Sequence, residues 1–167
     1  MRVFIAVNFP EEIRDKIKDI QDKLPDFQGK KVETINLHLT LKFFGEIEEQ
    51  QIEGIKAKLK EIKTKSFEIA IDRIGVFSEK YIRIIWIHMQ GAEELQKEIE
   101  EKLSSLFKQE ERFMSHITIA RVKKIKDKNE LEKIEKILLK IDYLKEKLPK
   151  NLQYSGSFSR YEKRLNN

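Results

Sequence analysis

The amino-acid sequence predicts an α+β protein of two lobes related by an approximate twofold axis. Each lobe runs β-α-β-α-β, with antiparallel or mixed sheets lining a central cleft and helices outside. Three observations lead to this expectation. Segments of strand and helix periodicity follow one another in the same order in both halves of the chain. The tetrapeptide His38-Leu39-Thr40-Leu41 returns as His116-Ile117-Thr118-Ile119, 78 residues later. The neighbouring helical patterns repeat at a similar offset, so the motif recurs because the chain does. A length of 167 residues fits one domain, taken as 1–167 with lobes over 1–78 and 79–167 and strands free to exchange between them.

Val3-Phe4-Ile5-Ala6-Val7 is apolar and partly β-branched, which predicts a strand. Pro10-Glu11-Glu12 then opens a helix, because proline suits the first turn and acids favour the positive end of the helix dipole. Ile13, Ile17, Ile20 and Leu24 recur on it at helical spacing. The first motif strand is expected from about Ile35 to Phe43, followed by a helix from Glu48 to Ile62 with Ile52, Ile55, Leu59 and Ile62 inward. A strand from Phe67 through Ile71 toward Val76 completes the half. In the second half, Tyr81–Met89 reads as a strand and Glu93–Phe107 as a helix burying Leu95, Ile99, Leu103 and Leu106. His116–Ala120 is the second motif strand. A last helix begins near Asp127, where Asp127 and Glu130 have capping-box spacing, and carries Leu131, Ile134, Leu138 and Ile141. Gln153–Arg164 is the closing strand.

Composition narrows the class of protein. With 40% hydrophobic residues the chain can bury a sizeable core. The longest apolar run near the start, Val3 to Phe9, is interrupted by Asn8 and stopped by Pro10, too short for a membrane span or a signal-peptide core. A cytoplasmic protein without a membrane partner is therefore expected. The absence of cysteine excludes disulfides, a catalytic thiol and any Cys-based zinc site. Charged residues, mostly Lys and Glu, make up 38% of the chain, a balance known from hyperthermophile proteins. A net charge of +5 and a pI near 9.2 suit a polyanionic ligand, although surplus surface lysine produces the same values.

The chain holds four threonines and three histidines. Two histidines each followed two residues later by threonine arise by chance with a probability of about 0.002, so the pattern is specific. Residues two apart on a strand share a face, so each motif aims an imidazole and a hydroxyl at one spot. His88, in Trp86-Ile87-His88-Met89, lacks such a partner and reads as a packed core histidine satisfied by a hydrogen bond. Thr40 and Thr118 could equally be plain strand formers. The run Arg121-Val122-Lys123-Lys124-Ile125-Lys126 reads as a solvated loop, except that Arg121 follows the motif strand closely enough to reach the cleft.

Two histidines without a His-x-His, His-x-Asp or His-Glu-x-x-His pattern make a poor metal shell, so no metal is expected. No Walker-type phosphate loop is present, and no cofactor is implied. Two imidazoles without a metal suit phosphoryl transfer by a paired general acid and base, because one ring can accept a proton while the other donates one. The threonine hydroxyls and strand-end amides would bind the non-bridging oxygens, with Arg121 offsetting charge. A cyclic phosphodiester fits, since its opening yields an alkoxide that needs a proton.

These residues resemble the 2H phosphoesterases, named for two His-x-Thr-x motifs, and among them the RNA 2′,3′-cyclic phosphodiesterases also called 2′-5′ RNA ligases. The resemblance runs from Met1-Arg2-Val3-Phe4-Ile5-Ala6-Val7 through Asn36-Leu37-His38-Leu39-Thr40-Leu41-Lys42-Phe43-Phe44-Gly45 and Ile74-Gly75-Val76-Phe77 to His116-Ile117-Thr118-Ile119-Ala120-Arg121. It implies opening of a 2′,3′-cyclic phosphate at an RNA end, tRNA included, to a 2′-phosphate, with the reverse 2′-5′ joining to a 5′-hydroxyl. It also implies His38 as proton donor and His116 as proton acceptor; a monomer is expected. The chain departs from the family pattern at Ser115, where proline is usual, and at Thr34-Ile35-Asn36. Two alternatives stay open: a phosphoesterase acting on a small cyclic nucleotide or a 2′-5′ oligonucleotide, and an RNA-binding module without catalysis.

Overall fold

The computed structural model describes residues 2–24, 26–63, 66–78, 80–123 and 153–157. The first strand, β1, spans Arg2–Asn8, and the helix α1 follows at Glu11–Asp22. The Pro10 carbonyl accepts from the amides of Ile13 and Arg14, which closes the first turn. The apolar stripe Ile13, Ile17, Ile20 and Leu24 is buried, as its spacing requires. A short strand that periodicity did not reveal, β2, occupies Gly29–Lys31. The expected start of the first motif strand at Ile35 is instead a 3-10 turn over Thr34–Asn36, with Ile35 62% exposed. Local bonds from the Asn36 and Leu37 amides to Glu33 and Thr34 hold this turn, so the strand β3 begins at His38 and runs to Glu46.

Helix α2 covers Glu49–Leu59, with the Gln51 side chain accepting from the Glu48 amide at 3.0 Å. Strand β4 is Ser66–Val76 and β5 is Ile84–Gln90, so Tyr81, expected in the latter, lies outside it and is exposed. Helix α3 covers Glu93–Leu103 and ends earlier than its periodicity suggests. Ser104 turns its hydroxyl back to the Glu101 carbonyl, and Leu106 is left exposed rather than on the buried stripe. The second motif strand, β6, is His116–Val122, and the last described strand, β7, is Gln153–Ser157. The helix expected from Asp127 and the remainder of the closing strand lie outside the described residues.

Strands β1 and β3 form one antiparallel sheet, and a second has the order β2-β6-β5-β4-β7, again antiparallel throughout. The first half thus lends β2 and β4 to the sheet that carries the second motif. Helix α1 packs against β6 and helix α3 against β3, so each helix supports the motif strand of the other half. One core joins the layers, with Ile5, Ile17, Leu39, Ile55, Ile85, Ile87, Ile117 and Ile119 sealed from solvent. Each such side chain stabilises the fold by about 1.5–3 kcal/mol relative to exposure. No helix among the described residues is long and apolar enough to cross a membrane.

Candidate active site

Both motif histidines stand at the first residue of their strands, His38 on β3 and His116 on β6. The two strands pack against each other, one from each sheet. In both motifs the apolar residues Leu39, Leu41, Ile117 and Ile119 are buried while the histidines and threonines stay half-buried on the opposite face. The alternation expected from period two therefore places each imidazole and hydroxyl on the same side.

The imidazoles are held in matching ways. His38 Nδ1 lies 2.7 Å from the Asn36 carbonyl, and His116 Nδ1 lies 2.7 Å from the Met114 carbonyl. A carbonyl only accepts, so Nδ1 of each ring is the donor, and in the neutral ring Nε2 is the nitrogen that carries the lone pair. Each ring also has an aromatic neighbour. Phe4 stacks on His38 with centroids 5.1 Å apart, and Phe77 meets His116 edge-on at 5.2 Å. Hydrogen bond and ring contact together fix the tautomer and the orientation of both imidazoles.

Immediately after each threonine the ladder skips one residue. In β3 the pairing passes from Ala6↔Thr40 to Ile5↔Lys42, leaving Leu41 over, and in β6 from Trp86↔Thr118 to Ile85↔Ala120, leaving Ile119 over. These twin bulges invert the alternation that follows. Lys42 and Ala120, which strict alternation puts beside the threonines, turn inward and are buried, whereas Phe43 and Arg121 turn out to solvent. Arg121 is opposed by Lys30 on β2 and Ile84 on β5, so β6 runs on past the expected Ala120 to Val122. Lys42 is committed elsewhere: its ammonium holds both Glu100 carboxylate oxygens, at 2.8 and 2.7 Å, and the Lys108 carbonyl.

Buried Gln21 of α1 clamps the second bulge, donating to the Ile119 carbonyl at 2.7 Å and the Val32 carbonyl at 2.9 Å. Nothing in periodicity marks it beyond one polar residue within the apolar stripe. His88 is buried and hydrogen-bonded, as a core histidine would be, but its place opposite His116 in the ladder was not legible. Among the described residues no group of three or more His, Asp or Glu is arranged to hold a metal ion.

Comparison with known proteins agrees with this arrangement. A family profile described as LigT like Phosphoesterase matches residues 7–86 and again 88–164, each stretch containing one motif. A protein of Methanocaldococcus jannaschii called RNA 2′,3′-cyclic phosphodiesterase is 40% identical over 141 residues, covering 81% of this chain and 80% of its own length. One of the same name from Thermotoga maritima is 36% identical, covering 86% of this chain and 79% of its own. Among solved structures, TT0787 of Thermus thermophilus superposes with a TM-score of 0.68 at 27% identity, covering 77% of this chain and 78% of that one. The structure of Escherichia coli LigT complexed with 3′-AMP gives 0.63 at 26% identity, with 76% of each chain covered. With two matched motifs, each imidazole tethered through Nδ1, and a profile match across both halves, the chain belongs to the LigT-like phosphoesterases of the 2H superfamily.

Proposed function

We propose that the protein opens 2′,3′-cyclic phosphodiester ends of RNA to 2′-phosphomonoesters by metal-independent acid–base catalysis. His38 donates a proton to the leaving oxygen and His116 accepts one from water. Thr40, Thr118 and Arg121 bind the phosphate oxygens. The reverse reaction joins such an end to a 5′-hydroxyl through a 2′-5′ bond. The observation that supports this reading is the duplicated tether: both Nδ1 atoms bond a carbonyl two residues back, which favours Nε2 of each ring for proton exchange. Support also comes from the relatives named RNA 2′,3′-cyclic phosphodiesterase. RNA ends, tRNA among them, are the proposed partners.

The test is a panel of cyclic mononucleotide, cyclic-ended oligoribonucleotide and 2′-5′ oligomer, with products resolved as 2′- or 3′-phosphate. The cyclic-ended oligomer should give 2′-phosphate in the presence of chelator. Replacing His38 or His116 by Ala should each lower kcat/KM by roughly 10²–10⁴, the scale of a general acid or base. The pH profile of kcat/KM should be bell-shaped, since one ring must be neutral and the other charged. A substrate whose leaving group needs no proton should rescue His38→Ala and not His116→Ala; the opposite rescue reverses the roles. Full activity in both alanine variants overturns the mechanism.

A further inference from the structure

His88 stands directly opposite His116 in the ladder between β5 and β6. Opposed residues of an antiparallel pair share a face, with Cβ atoms about 4.5–5.5 Å apart, so the two imidazoles are neighbours on the face that carries Thr118. On its other side His88 is opposed by Arg73 of β4, and there the register breaks: Asp72 is an extra residue between Ile71 and Arg73. That bulge sets Asp72 Oδ1 2.5 Å from His88 Nδ1. The second Asp72 oxygen accepts from Gln90 Nε2 at 3.1 Å and lies 3.6 Å from Arg73 Nε.

A carboxylate accepts, so His88 Nδ1 donates, and the neutral ring is left with Nε2 as an acceptor. Among the described residues Nε2 has no hydrogen-bond partner. Packing alone would not call for a bulged aspartate, itself held by two side chains, to fix this tautomer.

We propose that His88, oriented by Asp72, holds the attacking water beside His116 and so favours hydrolysis over attack by an alcohol. This rests on the cyclic phosphodiesterase reading above. In hydrolysis the water oxygen bonds to phosphorus, one water proton passes to His116 Nε2, the P–O3′ bond breaks, and the O3′ leaving oxygen takes a proton from His38. The second water proton stays on its oxygen and donates to His88 Nε2 while the bond forms. A 5′-hydroxyl or methanol has a single proton, which His116 removes, so it offers His88 nothing. The acceptor at His88 thus selects the nucleophile that has two protons.

The experiment follows a cyclic-ended oligoribonucleotide in buffer containing methanol, with methyl ester and 2′-phosphate products counted by mass spectrometry. His88→Leu should lower hydrolytic kcat by roughly tenfold, the scale of one lost hydrogen bond, and methanolysis less, so the ester fraction rises. KM should stay within a factor of about two, since ground-state binding is untouched. His88→Gln, whose Oε1 takes the place of Nε2, should return the product ratio to that of the wild type. His88→Asn, whose polar end reaches only the Nδ1 position, should not. Hydrolysis and methanolysis falling by the same factor in His88→Leu overturns the proposal, as does an equal ratio in the Gln and Asn variants, which decide alone if the Leu variant fails to fold. His116→Ala should lose both reactions. A wild type that turns nothing over defeats the functional reading and this inference with it, whereas a working wild type with an unchanged product ratio defeats only the inference.

Discussion

Lys42 immediately follows the first motif, where a cation invites assignment to the phosphate, yet the structure commits it to Glu100. Their side chains are only 3% and 7% exposed. The ammonium uses its three donors on the two Glu100 oxygens and the Lys108 carbonyl at 3.1 Å. Glu100 receives two further, longer bonds, from Gln96 Nε2 at 3.2 Å and the Glu110 amide at 3.3 Å. Lys42→Met keeps the apolar stem but leaves a buried carboxylate with two neutral donors. Breaking such a pair on one side costs about 3–5 kcal/mol. For a chain of this size each kcal/mol moves Tm by about 2–4 °C, so a fall of roughly 6–20 °C is expected. Removing both charges in Lys42→Met with Glu100→Leu should recover much of the loss, because the penalty lies in the orphaned charge. The assay is thermal unfolding by calorimetry beside kcat/KM on the cyclic-ended substrate, measured far below the variant's Tm. Activity there should stay within a few-fold of wild type. A Lys42→Met variant with unchanged Tm and a hundredfold loss of kcat/KM would refute the reasoning and move Lys42 into the site.

Three other perturbations have defined outcomes. A Cβ added at Gly75 would lie 2.8 Å from the Trp86 ring, so Gly75→Ala should displace that ring, cost about 1–3 kcal/mol and shift the emission of the chain's single tryptophan; unchanged emission and Tm would show that β4 yields instead. Ser115 Oγ is buried with no hydrogen-bond partner among the described residues, so Ser115→Ala should be neutral or stabilising by up to about 1 kcal/mol, and a drop in Tm would reveal a partner. Hydrogen bonds from Lys102 and Lys58 hold the Glu61 carboxyl below its ordinary 4.5. A group lowered in the folded state stabilises above its unfolded value and loses that contribution as pH falls through the folded one. Glu61→Gln should therefore flatten the decline of Tm on acidification below about pH 4.5, whereas superposable Tm–pH curves would show that the contacts contribute nothing.

Local periodicity accounts for much of this molecule. Strand alternation alone assigns His38 with Thr40 and His116 with Thr118 to a common face, because side chains two apart on a regular strand share a face. Helical spacing likewise marks Ile13, Ile17, Ile20 and Leu24, Ile52, Ile55 and Ile62, and Leu95, Ile99 and Leu103, all of which are buried, with Leu59 half-buried. Element ends were less legible. Local backbone bonds at Thr34–Asn36 and the Ser104 hydroxyl bond to the Glu101 carbonyl compete with the regular ladder, which leaves Ile35 and Leu106 exposed.

Which strands meet, and in what register, is a non-local choice that no window of sequence contains. The chain's own pattern determined the duplication, the paired motifs and the face each presents. Tertiary pairing alone decided that β2 and β4 join the second motif's sheet and that twin bulges at Leu41 and Ile119 turn Lys42 inward to Glu100 and Arg121 outward. It also decided that His88, which sequence reads as core, stands beside His116 with Asp72 behind it. The physical reason is that an unpaired residue in a ladder inverts the side chains that follow it, and its position depends on the partner strand rather than on neighbours along the chain.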